Sequence, residues 1–170
     1  MGASGCGKTS LLNAISHRIL VNKTCKLSGE VLLNDKIPFY SKLFGTCASY
    51  VMQDDVIFQY FTVNEALTFA ARLKLTDISL QDQDKRIQEL IHSLGLTDCH
   101  NTVVGSILKK TISGGERKRT AIGVELIADP SLILLDEPTS GLDSFMAKSI
   151  CKLLQTLAHD HGKTIISTIH

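Results

Sequence analysis

At 170 residues the chain has the length of one domain, and its 44% hydrophobic and 21% charged residues exclude a disordered or fibrous polypeptide. Lys and Arg number 18 against 17 Asp and Glu, so a net charge of +1 offers no global field for nucleic acid or an anionic membrane, and any bound anion must be gripped locally. Five scattered cysteines (Cys6, Cys25, Cys47, Cys99 and Cys151) form no CxxC pair, which argues against a zinc cluster or disulfide framework and suits a reducing cytosolic compartment. No apolar run approaches the roughly 18 residues that span a bilayer, and MGASGCGKTS, with no basic region before an apolar stretch, is not expected to be a targeting segment.

In chain order, residues 9–20 predict a helix with Leu11, Leu12, Ile15 and Ile19 on one face, followed by short strands over 28–33 and 48–52. Thr62 and Glu65 have the spacing of a capping box, opening a helix whose Val63, Ala66, Leu67, Ala70 and Leu73 should face inward. Ile87, Leu90, Ile91 and Leu94 form a further helical stripe that Gly95 stops. Ser113 and Glu116 make a second capping box, and the helix they open should end near Asp129 because Pro130 cannot continue it. Leu132 to Leu135, apolar without alternation, predicts a parallel strand buried on both faces. Ile150, Leu153, Leu154 and Leu157 mark one more helix, stopped by Gly162, before a last buried strand over 164–169. The predicted architecture is α/β, with a mostly helical region inserted from about 62 to 128.

Three motifs carry chemistry. GASGCGKT, residues 2–9, satisfies GxxxxGK[ST]: its glycines let backbone N–H groups curl around phosphate oxygens, Lys8 reaches the outer phosphates, and Thr9 can ligate magnesium. LILLDE, residues 132–137, delivers Asp136 to a metal and places Glu137 to polarise a water, which favours hydrolysis over transfer. ISGGERKR, residues 112–119, sets Ser113, Gly114 and Gly115 at a helix start as a second small anion cradle. Two adjacent glycines cost about 1 kcal/mol each relative to Ala in a helix interior, so close approach by another group accounts for them better than capping alone. A nucleotide held by a second copy of the chain is the group we expect there. Arg117, Lys118 and Arg119 form the one dense basic run, raising local positive potential or simply lining a solvated helix face, and receive no catalytic role. Cys6 lies in the first loop, where its main expected role is that of a small filler, while His17, His92, His100, His159 and His161 read as surface or helix-end residues.

At these residues the sequence resembles the nucleotide-binding domain of ATP-binding cassette transporters, with the family's motifs in order over nearly the whole chain. GASGCGKT corresponds to Walker A, Gln53 in YVMQDD to the Q-loop, ISGGE to the signature, LILLDE to Walker B, SGLD to the D-loop and His170 to the switch histidine. VMQDD, ISGGERKR and DEPTSGLDS look most like the G subfamily, the White-type half-transporters. The resemblance implies a P-loop fold and nucleotide binding by Gly2, Ala3, Ser4, Gly5, Cys6, Gly7, Lys8, Thr9 and Ser10. Magnesium would be held by Thr9, Gln53 and Asp136, and catalysis would involve Glu137, Gln53 and His170. Ser113, Gly114, Gly115 and Glu116 would face a nucleotide across a head-to-tail dimer, homo- or heteromeric, whose two sites Asp143 couples.

The implied cofactors are ATP and Mg2+, and the preference for ATP over GTP rests on the resemblance. The implied partners are a second nucleotide-binding domain and a transmembrane domain on the same full-length chain, with no nucleic acid. The resemblance implies export of lipid, sterol or xenobiotic cargo from the cytoplasmic face of a membrane. Because the chain starts one residue before the P-loop and stops at His170, residues 1–170 are expected to be part of a larger domain, lacking the family's N-terminal strands and C-terminal helices. A catalytically inactive fragment and a soluble, non-transport ATPase of the same family are the rival readings.

Overall fold

The computed structural model describes residues 1–3, 5–19, 26–105 and 111–169, so the expectations placed on Ser4 and His170 lie outside the described residues. Three parallel strands, β3 (Ala48–Val51), β4 (Leu132–Leu135) and β5 (Thr164–Ser167), form a sheet in the order β3-β4-β5. β4 is its centre, pairing Ala48 to Val51 on one side with Leu132 to Leu135, and Thr164 to Ser167 on the other. Leu132 and Leu134 point into a cluster with Leu12, Phe39, Ala48 and Tyr50, while Ile133 and Leu135 join the larger core with Leu67, Ile122, Ile150 and Leu154. A strand buried on both faces needs no alternation, which is why the four-residue run reads correctly.

Helices cover both faces. α1 (Lys8–Ile15) packs Leu12 onto the smaller cluster, beside an antiparallel pair formed by β1 (Leu32–Leu33) and β2 (Ile37–Pro38). α2 (Val63–Lys74), α3 (Leu80–Ser93) and α4 (Gly114–Leu126) fill the sequence between β3 and β4, and α5 (Ser144–His159) joins β4 to β5. Both predicted capping boxes form: Thr62 caps α2 with Glu65, and Ser113 caps α4 with Glu116. α4 runs through the interior, with Lys118, Thr120, Ile122, Gly123 and Leu126 all buried. A Cβ on Gly123 would lie 2.7 Å from Leu94 and 3.0 Å from Leu67, so this glycine lets three helices close on one another.

Four expectations are corrected. α1 stops at Ile15 rather than running to residue 20, because His17 turns left-handed (φ 54°) and Arg18 N–H bonds back to the Asn13 carbonyl. Leu11 and Leu73 are 62% and 64% exposed, so the apolar stripes of α1 and α2 are wider than the faces that pack. The strand expected over 28–33 pairs only at Leu32–Leu33, where Asn34 and Asp35 (φ 51° and 57°) make a primed hairpin turn to β2. The last strand ends at Ser167 and is not buried: its residues alternate between exposed and half-buried, and Ile166 is 38% exposed.

Candidate active site

The loop before α1 is shaped by two glycines: Gly5 (φ 78°) and Gly7 (φ 90°) lie in the left-handed region, with open space where a Cβ would project. Conformation, not crowding, excludes other residues there. Gly2 differs, since a Cβ would meet the Cys6 sulfur at 2.5 Å, and Cys6 itself is exposed. Lys8, in the first turn of α1, folds back to donate to the carbonyls of Gly2 (2.8 Å) and Ala3 (3.1 Å). The Gly2 N–H donates to the Ile169 carbonyl (3.3 Å), tying the loop to the segment after β5.

β4 ends by presenting two carboxylates in different surroundings. Asp136 is buried at 3% exposure, and its Oδ1 accepts from the Thr168 hydroxyl at 2.7 Å. Glu137 has φ 43°, unusual for a side chain with a Cβ, and its N–H donates to the same Thr168 oxygen at 2.8 Å. One hydroxyl from the end of β5 therefore fixes both acids. The Glu137 carboxylate lies between two side chains, with Oε1 3.3 Å from the Lys8 ammonium and Oε2 accepting from Gln53 Nε2 at 3.1 Å. Tyr50, on β3, has its phenol pushed up in pKa by burial and then by the nearby Asp136 charge, while Arg18 stacks 4.4 Å from its ring and works the other way.

Gly5, Gly7, Lys8, Thr9, Ser10, Gln53 and Glu137 line one cavity of about 270 Å³. That is just below the roughly 300–1,000 Å³ that encloses a whole small ligand. Its size, open glycine backbone and lysine suit a phosphate chain gripped at one end. Among the described residues no group of three or more His, Cys, Asp and Glu converges as a metal cage. Magnesium does not need one, since it keeps waters and binds through one or two carboxylates plus substrate phosphates. A Thr9 hydroxyl and a Gln53 amide on the cavity wall, with the buried Asp136 beside Glu137, are hard oxygen donors of that kind.

The signature residues are not part of this cavity. Ser113 and Glu116 satisfy one another: the Glu116 carboxylate accepts the Ser113 N–H at 2.7 Å and the Ser113 hydroxyl accepts the Glu116 N–H at 3.2 Å. These bonds to Ser113 hold the Glu116 pKa below its ordinary value, while burial and then Glu116 itself push the Cys99 thiol up. Within the chain only the second glycine of the pair has a tight neighbour. A Cβ on Gly115 would press on Met146 of α5 at 3.2 Å, and one on Gly114 would touch Leu142 at 3.4 Å. Asp143 caps α5, accepting from the N–H groups of Phe145 and Met146 at 2.9 Å each.

Two groups of the site escaped the sequence reading. Thr168 follows Ser167 at the end of the segment TIIST, two residues before His170, and no motif singles out one hydroxyl of that pair. Lys118 lies in the basic run 117–119, whose sequence fits either a raised local potential or a solvated helix face, yet its side chain is 4% exposed. It donates to the Gln53 carbonyl at 2.8 Å and lies 2.6 Å from Asp55 Oδ1.

The family described as ABC transporter matches residues 1–140 of this chain. ABC transporter G family member 22 of Arabidopsis thaliana is 47% identical over 171 residues, covering 100% of this chain and 22% of the relative. An uncharacterized ABC transporter ATP-binding protein/permease of Saccharomyces cerevisiae is 46% identical over 173 residues, covering 100% of this chain and 13% of the relative. ABC transporter G family member STR2 of Petunia hybrida is 43% identical over 172 residues, again across 100% of this chain and 23% of its own length. The chain thus spans between an eighth and a quarter of these relatives.

Proposed function

Because this chain belongs to the ABC transporter family, as an ATP-binding domain similar to those of G family members, we propose that its cavity binds MgATP and hydrolyses it to drive transmembrane transport. The observation that carries this reading is Glu137, held at the cavity wall between Lys8 and Gln53. The arriving phosphates outcompete the Glu137 carboxylate and the Gly2 and Ala3 carbonyls for the Lys8 ammonium, because they bring more negative charge to the same donor. Glu137 is thereby freed as a base, so the base is released only when substrate is present. It takes a proton from a water whose oxygen bonds the γ-phosphorus, while the bond from phosphorus to the bridging oxygen breaks and ADP leaves. Magnesium, when bound, neutralises charge on the phosphate oxygens, with Thr9, Gln53 and Asp136 as its protein donors. His170 is proposed to steady the γ-phosphate beside Glu137.

Two copies are proposed to meet head to tail, so that Ser113, Gly114, Gly115 and Glu116 of one close over the nucleotide of the other. Ser113 and Glu116 are half-buried and Gly114 and Asp143 exposed, while Gly115 is buried against Met146. Residues 1–170 are read as part of a nucleotide-binding domain, with 62–128 as its helical subdomain. Its permease would lie on the same polypeptide, by analogy with the yeast relative's name, and would hold the domain at the cytoplasmic face of a membrane. No helix described here is long and apolar enough to cross a membrane. An aromatic cluster beyond the Q-loop, exposed Phe58 and Phe69 with half-buried Phe61 and ring centroids 5.0–5.8 Å apart, supplies an apolar face for contact with that permease. Lipid, sterol or xenobiotic-type molecules are the proposed cargo. ATP hydrolysis by the full-length protein in lipid, with and without magnesium and with Lys8→Met, tests the reading. Magnesium-dependent turnover lost in Lys8→Met supports it, and turnover that ignores either change overturns it.

A further inference from the structure

We infer that Lys118 is a positioning residue for hydrolysis, locking the segment that carries Gln53 onto the helix that begins at Ser113. Gln53 lies beyond the end of β3, where the sheet no longer fixes the backbone. Its carbonyl instead receives the Lys118 ammonium at 2.8 Å, and the same ammonium pairs with Asp55 Oδ1 at 2.6 Å. The lysine comes from the second turn of α4, the helix whose first turn is Ser113 to Glu116. A buried ammonium is costly unless paired and hydrogen-bonded, so a lysine on an otherwise interior helix face is explained by what it holds. The path is continuous: Lys118 fixes the Gln53 backbone, Gln53 Nε2 donates to Glu137 at 3.1 Å, and Glu137 touches Lys8 at 3.3 Å. Any displacement of α4 that pulls Lys118 moves Gln53 relative to Glu137. The two phosphate-facing regions of one chain, one serving its own nucleotide and one its partner's, are thereby mechanically joined.

This inference rests on the proposed ATPase reading. Its test is steady-state MgATP hydrolysis by the full-length protein in lipid, comparing the parent with Lys118→Met, Gln53→Ala and the double variant. Glu137→Gln is run alongside, and Lys118→Met/Asp55→Asn serves as the version that leaves no unpaired buried charge. Lys118→Met is expected to lower kcat about 10-fold or more while KM for ATP stays within about 3-fold, because the loop and Lys8 are untouched. The double variant should be no slower than Gln53→Ala alone, since Lys118 acts through Gln53, whereas a residue that only supports the fold would multiply the two losses. Unchanged kcat in both Lys118 variants, or losses that multiply, would overturn the inference. Should Glu137→Gln also retain full activity, the ATPase reading itself has failed; should only the Lys118 variants do so, the reading stands and this inference falls.

Discussion

Thr168→Val removes one hydroxyl and almost no volume, at the residue that follows β5 and touches both acids of the site. The wild-type hydroxyl donates to Asp136 Oδ1 at 2.7 Å and accepts the Glu137 N–H at 2.8 Å. A hydrogen bond to a charged group is worth about 1.5–3 kcal/mol net, and here its loss leaves a buried carboxylate with one partner fewer. The second lost bond frees the backbone of Glu137, whose left-handed φ of 43° persists only while its surroundings hold it. If the base must be placed to within a fraction of an ångström, a loss of about 1.4–2.8 kcal/mol from transition-state stabilisation lowers kcat about 10- to 100-fold. The assay is MgATP turnover by the full-length protein, with Thr168→Ser alongside because serine keeps the hydroxyl. The serine variant should recover most of the rate. Turnover by Thr168→Val within about 2-fold of the parent would refute the claim that this hydroxyl places the two acids.

Gly123→Ala should destabilise the domain by about 1–3 kcal/mol through overpacking against Leu94 and Leu67, seen as a lower urea midpoint; an unchanged midpoint would mean those side chains yield freely. Replacing Met146 by Ala should relieve the contact at Gly115, so that Gly115→Ala is better tolerated in the Met146→Ala background than alone, measured as the coupling between the two thermal shifts. The Glu116 carboxylate is held below its ordinary 4.5 by the Ser113 bonds, so its contribution is fully present above that value and is lost as pH falls through the lower, folded-state value. On acidification from about pH 5.5 to about 3.5, Glu116→Gln should therefore lose less stability than the parent, and parallel pH curves would contradict the assignment.

Local rules made much of this fold legible. The capping boxes at Thr62 and Ser113, the glycine stop at Gly95 and the apolar run of β4 each express a single backbone requirement in adjacent residues, and all four appear in the structure. The site loop and the Asp136-Glu137 pair were legible for the same reason, because their chemistry sits on contiguous residues. What failed depends on neighbours far along the chain. Leu73 continues the stripe of α2 yet is 64% exposed, and β5 is apolar at Ile165 and Ile166 but has a partner on one side only among the described residues. Lys118 looks like its neighbours Arg117 and Arg119 in sequence, and only the approach of Gln53 and Asp55, more than sixty residues earlier, gives it a buried role. Of the glycine pair at 114 and 115, for which close approach by another group was the expectation, only Gly115 has a tight neighbour within the chain, Met146, while Gly114 is in ordinary contact with Leu142.

The central claim is that Glu137 acts on the water while the loop around Lys8 does the binding. It is tested most directly by measuring ATP affinity and MgATP turnover on one preparation of full-length Glu137→Gln. Affinity within about 3-fold of the parent is expected, with turnover lower by about 100-fold or more, as loss of a general base produces. Turnover equal to the parent's, with ATP still bound, would contradict it.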